Sequence, residues 1–211
     1  MNKINLLCKI IAMFLGVLFI GIGIAFLRKS GFGVDPFTCM NLGISKKMGI
    51  SLGVFQLILN LFLFGIMILY GNRYIGIGMI ANMVLVGFIS DFFTKLFIYN
   101  ENIFLIKIIY MLIGCTVICL GVSIYSSANM GLAPYDAFGW VIEDLTNHKI
   151  SFKLTRVVTD VICIGIGILY GSVIGINTII MAFFTGPLVE FFTQRLINTK
   201  FNIAKKIYNL K

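Results

Sequence analysis

Charged residues are scarce in this 211-residue chain, at 12% of the sequence, and only 8 of them are acidic. Proline and histidine are also rare, with 3 and 1 occurrences, whereas 59% of the residues are hydrophobic. Soluble domains carry about a quarter charged residues, so this composition excludes an ordinary soluble protein. It predicts an integral membrane protein whose main partner is the lipid bilayer.

The apolar residues form six blocks, each about long enough for a helix that crosses a hydrocarbon core of about 30 Å. The blocks lack the two-residue alternation of an outer-membrane barrel, so helices are expected to satisfy the backbone. The sequence therefore predicts an all-α membrane protein with six transmembrane helices. The predicted spans are Leu6 to Leu27, Ile50 to Tyr70, Ile75 to Ile98, Ile103 to Tyr125, Leu154 to Tyr170 and Val173 to Leu196.

The net charge of +9 does not predict a nucleic-acid partner, because the basic residues stand singly or in pairs at the ends of the blocks. Such positions suit a role in membrane orientation. With six spans, the side that holds both termini collects the larger share of the 17 Lys and Arg residues, including a basic C-terminal tail. Both termini are therefore predicted to be cytoplasmic.

Signatures of enzymes, metals and cofactors are missing from the sequence. It contains no GxGxxG after a strand, no GxxxxGK[ST], no HExxH and no GxSxG. Cys115 and Cys119 share a helix face, but no histidine or carboxylate completes a set of metal ligands. We expect neither enzymatic activity nor a bound metal or cofactor.

The chain repeats itself after a shift of about a hundred residues: GFGVDPFTCM at 31–40 returns as MGLAPYDAFG at 130–139. This predicts two copies within one membrane domain, residues 1–100 and 101–211. Each copy holds three spans, an odd number, so the second would cross the membrane in the opposite sense, as in many secondary transporters. The matched residues include Gly16 and Gly114, Gly23 and Gly121, Gly33 and Gly131, and Pro36 and Pro134.

Both quoted stretches predict a tight turn followed by a short helix, because glycine permits the turn and proline suits a first helical turn. The helices are predicted from Pro36 to about Lys47 and from Pro134 to about Leu145. Each would either lie on the membrane surface or dip into the interior with its N-terminus inward, where free N–H groups favour anions. Asp35 is expected to cap the first short helix, and Asp136 is expected to lie in the first turn of the second. The candidate loop residues are Gly33, Asp35, Pro36, Gly131, Pro134 and Asp136.

Polar pairs four residues apart occupy matching places in the second span of each copy, Gln56 with Asn60 and Arg156 with Asp160. Spacing of four puts both members of a pair on one helix face. Ionisable residues inside spans commonly face a bundle interior or watery cavity, so these four residues are candidates for a substrate or ion pathway. The alternative is structural, with Arg156 reaching towards the membrane surface while it pairs with Asp160.

Asp91 and Glu190 stand near the ends of the third spans, each followed by Phe-Phe-Thr. They are further pathway candidates, at opposite mouths of a cavity. Interfacial anchoring is the alternative, since Asp91 has Lys95 one helical turn later.

The quoted stretches, together with GISLGVFQLILN, ISFKLTRVVTD and GINTIIMAFFTGPLVEFF, resemble the YczE/YyaS/YitT group of bacterial integral membrane proteins, and most closely the YczE type. The resemblance implies a protein of the bacterial cytoplasmic membrane with a poorly defined function. It also implies a Gly-x-x-Pro-x-Asp loop, which Gly131, Pro134 and Asp136 match. The first copy departs from this pattern, because Thr38 stands in the place of the aspartate.

These observations favour a small secondary transporter, permease or exporter for an unknown small molecule. The alternative is a membrane accessory or scaffold protein that assists a partner enzyme or exporter. The sequence also leaves open whether the chain acts as a monomer or a homodimer.

Overall fold

A computed structural model describes residues 3–97, 103–183, 185, 188–189 and 191–195 of the chain. Within these ranges the regular structure is entirely helical, with no β-strand, which confirms the predicted all-α class. Glu190 lies outside the described residues.

In the described part of the chain, seven α-helices have defined bounds, and a short 3-10 turn precedes the fourth. Helical residues 176–183 follow the seventh. The helices are α1 (Lys3–Ser30), α2 (Pro36–Met48), α3 (Leu52–Tyr70), α4 (Ile77–Leu96), α5 (Phe104–Ala128), α6 (Pro134–Leu145) and α7 (Phe152–Leu169).

Four helices in the described part of the chain are long and apolar enough to cross a membrane: Leu6–Ser30 of α1, and α3, α4 and α5. They correspond to the first four predicted spans. The fifth predicted span coincides with α7, which carries three charged residues, Lys153, Arg156 and Asp160. The sixth includes residues outside the described ranges, so six spans remain a prediction.

Side-chain caps set the starts of three helices. Asp35 accepts a hydrogen bond from the Thr38 N–H at the start of α2, as the sequence predicted. Ser51 and Ser151, which stand at matching places in the two copies, cap α3 and α7 in the same way. The two short helices begin at their prolines, at Pro36 and Pro134, also as predicted.

Helices α1 and α5 pack closely along four glycines. A Cβ built on Gly16 would lie 2.8 Å from the carbonyl oxygen of Gly121, and one built on Gly23 would lie 3.0 Å from that of Gly114. The two contacts run in opposite chain order, so the helices are antiparallel. Because backbone atoms fill the space that a side chain would need, small residues are required at this crossing.

The two Gly-x-x-Pro loops are anchored by equivalent hydrogen bonds. The Phe32 carbonyl accepts from the Asn177 N–H at 3.1 Å, and the Met130 carbonyl accepts from the Gly78 N–H at 2.8 Å. The following glycines have left-handed φ values of 93° at Gly33 and 111° at Gly131, which explains why glycine stands there.

The short helices lie along α7 and extend towards its opposite ends. Helix α2 extends to the C-terminal end of α7, where the Nζ of Lys47 lies 5.1 Å from the centroid of the Tyr170 ring. Helix α6 reaches the start of α7, where Glu143 accepts from the Phe152 N–H at 2.7 Å. Their N-termini meet between these points, because the ring of Phe37, the second residue of α2, stacks on that of Tyr135, the second residue of α6.

Candidate functional site

Tyr135 lies where the N-termini of α2 and α6 meet. Its ring stacks on Phe37 with a centroid distance of 4.4 Å and an interplanar angle of 22°. Its hydroxyl donates to Asp160 Oδ1 at 2.7 Å and lies 3.6 Å from the Cys163 sulfur. Asp160 is eight residues past the first residue of α7, or about 12 Å along a helix about 27 Å long. The N-termini of both short helices therefore lie beside the middle of α7.

Arg156 joins two carboxylates and one aromatic ring. Its Nη1 donates to Asp136 Oδ1 at 2.5 Å, and its Nε lies 3.5 Å from Asp160 Oδ2. The guanidinium also lies over the Tyr135 ring, 4.6 Å from the centroid, a favourable cation–π distance. The pairing of Arg156 with Asp160 that the sequence indicated is therefore present, and the shorter contact is to Asp136.

The exposed fraction of the side chain decreases from Asp136 through Arg156 to Asp160. It is 41% for Asp136, 34% for Arg156 and 8% for Asp160. The three residues form a connected line of charge that begins at the molecular surface and ends in the interior.

Asp35 is a third carboxylate near this line. It caps α2 and interacts electrostatically with both Arg156 and Asp160. We refer to Asp35, Tyr135, Asp136, Arg156 and Asp160 as the central cluster. It unites the aspartates of both Gly-x-x-Pro loops with the charged pair of α7.

Gln56 and Asn60 are buried on α3, with exposed fractions of 4% and 1%. Among the described residues, Gln56 Oε1 and Asn60 Oδ1 have no hydrogen-bond partner. Gln56 Oε1 faces Gly87 on α4, where a built Cβ would lie 3.1 Å away. No hydrogen bond between described residues joins either amide to the central cluster.

Asp91 lies apart from the central cluster and links three helices. Its Oδ1 accepts from Arg28 of α1 at 2.8 Å, and its Oδ2 accepts from the Gly53 N–H at the start of α3 at 2.7 Å. The sequence indicated Lys95 as its neighbour, but the ion-pair partner in the structure is Arg28. These contacts give Asp91 a clear structural role at this end of the bundle.

The joint between α6 and α7 contains a separate exposed pair, Glu143 with His148 at 3.1 Å. The hydrogen bond with His148 and that from the Phe152 N–H hold the pKa of the Glu143 carboxyl below its ordinary value. Trp140 stacks on Phe152 in the same joint, with a centroid distance of 4.4 Å. The chain's single tryptophan therefore reports on the contact between α6 and α7.

Sequence reasoning missed Phe37, Tyr135 and Cys163 as neighbours of the charged pair. The two aromatic residues directly follow the prolines in the two copies, so the repeat itself contains the signal. Because aromatic residues are common in membrane spans, the matched aromatic positions alone do not indicate a contact between the two loops, whereas the stacking in the structure does.

The four long apolar helices define an integral membrane protein. A profile of the family of unknown function DUF6198 matches residues 7–194, and the chain belongs to this family. The match covers both predicted copies.

Two similar proteins come from Bacillus subtilis (strain 168). The uncharacterized protein YyaS is 29% identical over 188 residues, covering 84% of this chain and 89% of its own length. The uncharacterized membrane protein YczE is 25% identical over 183 residues, covering 84% and 82%. An uncharacterized protein of Haemophilus influenzae is 24% identical over 175 residues, covering 82% and 78%. The resemblance to the YczE and YyaS group is thus confirmed, and no solved structure matches the chain.

Proposed function

We propose that this protein is a small secondary transporter or permease that moves a small molecule through a site at the central cluster. The observation that carries the proposal is the line from Asp136 through Arg156 to Asp160, which connects the surface to the middle of α7. Burying charge in a membrane protein is costly, and residues that carry such charge commonly serve a pathway. A purely structural helix contact would be formed more stably by apolar side chains.

The architecture we propose has six spans arranged as two inverted repeats. The reciprocal contacts support it: Gly16 meets Gly121, and the equivalent Gly114 meets Gly23. The hydrogen bonds of the two loops are reciprocal in the same way: Gly78 of the first copy donates to Met130 of the second, and Asn177 of the second copy donates to Phe32 of the first. Exchange of contacts between equivalent residues is expected when two copies are related by an axis in the membrane plane.

We further propose that α2 and α6 are re-entrant half-helices. Supporting this, eight of the 13 residues of α2 are buried, and both N-termini meet beside the middle of α7. Interrupted helices that point their N-termini at the midplane form the substrate sites of several transporter folds. The cytoplasmic position of both termini, in a bacterial cytoplasmic membrane, completes this topology.

The second candidate function is a membrane accessory protein that assists a partner enzyme or exporter. The buried amide oxygens of Gln56 and Asn60 have no hydrogen-bond partner among the described residues, so no such bond joins them to the central cluster in a single polar pathway. The two functions require different things of the central cluster. A transporter needs the cluster to bind its substrate, whereas a scaffold needs the cluster only for stability.

A comparison of solute accumulation tests the proposal. Cells that lack this protein would receive the wild type, Asp160→Asn, or the control Asp144→Asn, which changes a carboxylate outside the cluster. We expect the wild type and the control to shift the intracellular level of at least one small molecule and Asp160→Asn to fail. Equal effects of all three proteins at matched membrane abundance would contradict transport through the cluster and favour the accessory function.

A further inference from the structure

A cavity of about 650 Å³ opens at one end of the helix bundle. It lies between the start of α1, the turn that joins α3 to α4, and the end of α5 with the second Gly-x-x-Pro loop. Its volume falls within the range of about 300–1,000 Å³ that is common for small-molecule sites. Since none of its lining residues belongs to the central cluster, the cavity is a separate candidate site.

The charged residues that line the cavity are Lys9 and Arg73, and no acidic residue is among its described lining. Arg73 is 65% exposed and pairs with Asp144. Lys9 is half-buried near the start of the apolar segment Leu6–Ser30, where an unpaired charge is costly. Because no described carboxylate pairs with Lys9, one positive charge of the cavity is uncompensated.

Uncharged hydrogen-bond donors line the same cavity. The Ser126 hydroxyl and the Asn129 side-chain amide make no hydrogen bond to another described residue. Helix α4 starts at the cavity without a side-chain cap, and the N–H groups of Gly76 and Ile77 have no acceptor in the described part of the chain. These N–H groups carry the partial positive charge of a helix start. A lining of cations and free donors favours an anion.

We propose that this cavity binds a phosphate group, either that of an anionic phospholipid or a free phosphate. The site lies outside the proposed transport site and does not depend on it. Leu6, Ile75 and Leu132 add apolar walls beside the donors. The hydrocarbon of a phospholipid can cover these walls, whereas free phosphate cannot, so the lining favours the lipid. Basic pockets between membrane helices commonly bind lipid headgroups.

A phosphate in this cavity would connect three segments of the chain. Lys9 belongs to α1, Gly76 and Ile77 to the start of α4, and Leu132 to the loop that leads into α6. The loop is already tied to the turn before α4, because the Leu132 N–H donates to the Tyr74 carbonyl at 3.3 Å. A ligand that bridges these segments should raise the unfolding temperature.

Titration of the purified full-length protein in detergent tests the site. Phosphatidylglycerol is the anionic lipid probe, and phosphatidylcholine is the zwitterionic comparison. Inorganic phosphate and glycerol 3-phosphate are the free phosphates. Native mass spectrometry measures the affinity for each lipid, and circular dichroism measures the unfolding temperature with every probe. We expect phosphatidylglycerol to bind more tightly than phosphatidylcholine and to raise the unfolding temperature.

Variants locate the binding. Lys9→Gln should weaken phosphatidylglycerol binding about fivefold, the loss expected for one lysine at an anionic headgroup. Ser126→Leu should weaken binding by filling the cavity without a change of charge. Lys107→Gln is the matched control, because Lys107 is also half-buried but lies near the other end of α5. It should bind as the wild type does. Size-exclusion profiles establish that the variants are folded.

The outcomes also distinguish the two sources of phosphate. A rise in unfolding temperature with the free phosphates alone, lost in Lys9→Gln, would support the site and assign it to a soluble phosphate. Equal affinities for phosphatidylglycerol and phosphatidylcholine, with no effect of the free phosphates, would overturn the proposal. So would equal phosphatidylglycerol affinities of Lys9→Gln and Lys107→Gln.

Discussion

The crossing of α1 and α5 makes a quantitative prediction about stability. A Cβ at Gly16 would lie 2.6 Å from the Tyr125 backbone nitrogen, whereas ordinary contact begins at 3.4 Å. The two backbones would have to separate by the difference, about 0.8 Å, which close packing resists. Overpacking of this kind costs about 1–3 kcal/mol, so Gly16→Ala should lower the free energy of unfolding despite a gain in helix propensity of about 1 kcal/mol.

Gly65 of α3 provides the matched control, because nothing lies within 4 Å of a Cβ built on it. Gly65→Ala should be neutral or slightly stabilising. Unfolding in mixed detergent–SDS micelles, followed by circular dichroism, measures both free energies. Gly114→Ala, at the equivalent place in the second copy, should cost a similar amount to Gly16→Ala. Equal stability of Gly16→Ala and Gly65→Ala would refute the close crossing.

Three further predictions concern the loops and the cluster. Trp140 fluorescence should change as the pH falls through the lowered pKa of Glu143. The ionised carboxylate stabilises the contact between α6 and α7 at neutral pH by accepting from the Phe152 N–H, and this stabilisation is lost on protonation. Glu143→Gln should lack the transition. Tyr135→Phe should lower the free energy of unfolding by about 1–3 kcal/mol in the SDS titration, since a buried carboxylate loses its hydroxyl donor. Asp91→Ala should lower the free energy of unfolding by about 1–3 kcal/mol in the same assay, because the partly buried Arg28 and the Gly53 N–H lose their acceptor. An unchanged free energy of unfolding in Tyr135→Phe or in Asp91→Ala would contradict the corresponding contacts.

The sequence predicted the helices well because their signals are local. Apolar length identifies α1, α3, α4 and α5, and the prolines identify the starts of α2 and α6. Asp35 was recognisable as a cap from its position before Pro36 alone. Each of these features depends on residues adjacent in the chain, where backbone chemistry decides the structure.

The candidate site was predictable only in part. The four-residue spacing identified Arg156 and Asp160 as neighbours on one helix face. Their contacts with Asp136 and Tyr135 depend on how α6 lies against α7, which no local pattern specifies. The same limit explains Asp91, whose partner Arg28 is distant in sequence and comes from another helix.

Labelling of Cys163 tests the central claim most directly, because this native thiol lies 3.6 Å from the Tyr135 hydroxyl and is buried in the structure. A variant that retains Cys163 and replaces the other four cysteines would be treated with a membrane-impermeant cationic thiol reagent, in membrane vesicles of both orientations. If the cluster lies on a pathway that opens to each side in turn, Cys163 should react from both sides. Reaction from neither side, in protein whose thiol reacts after denaturation, would contradict the pathway.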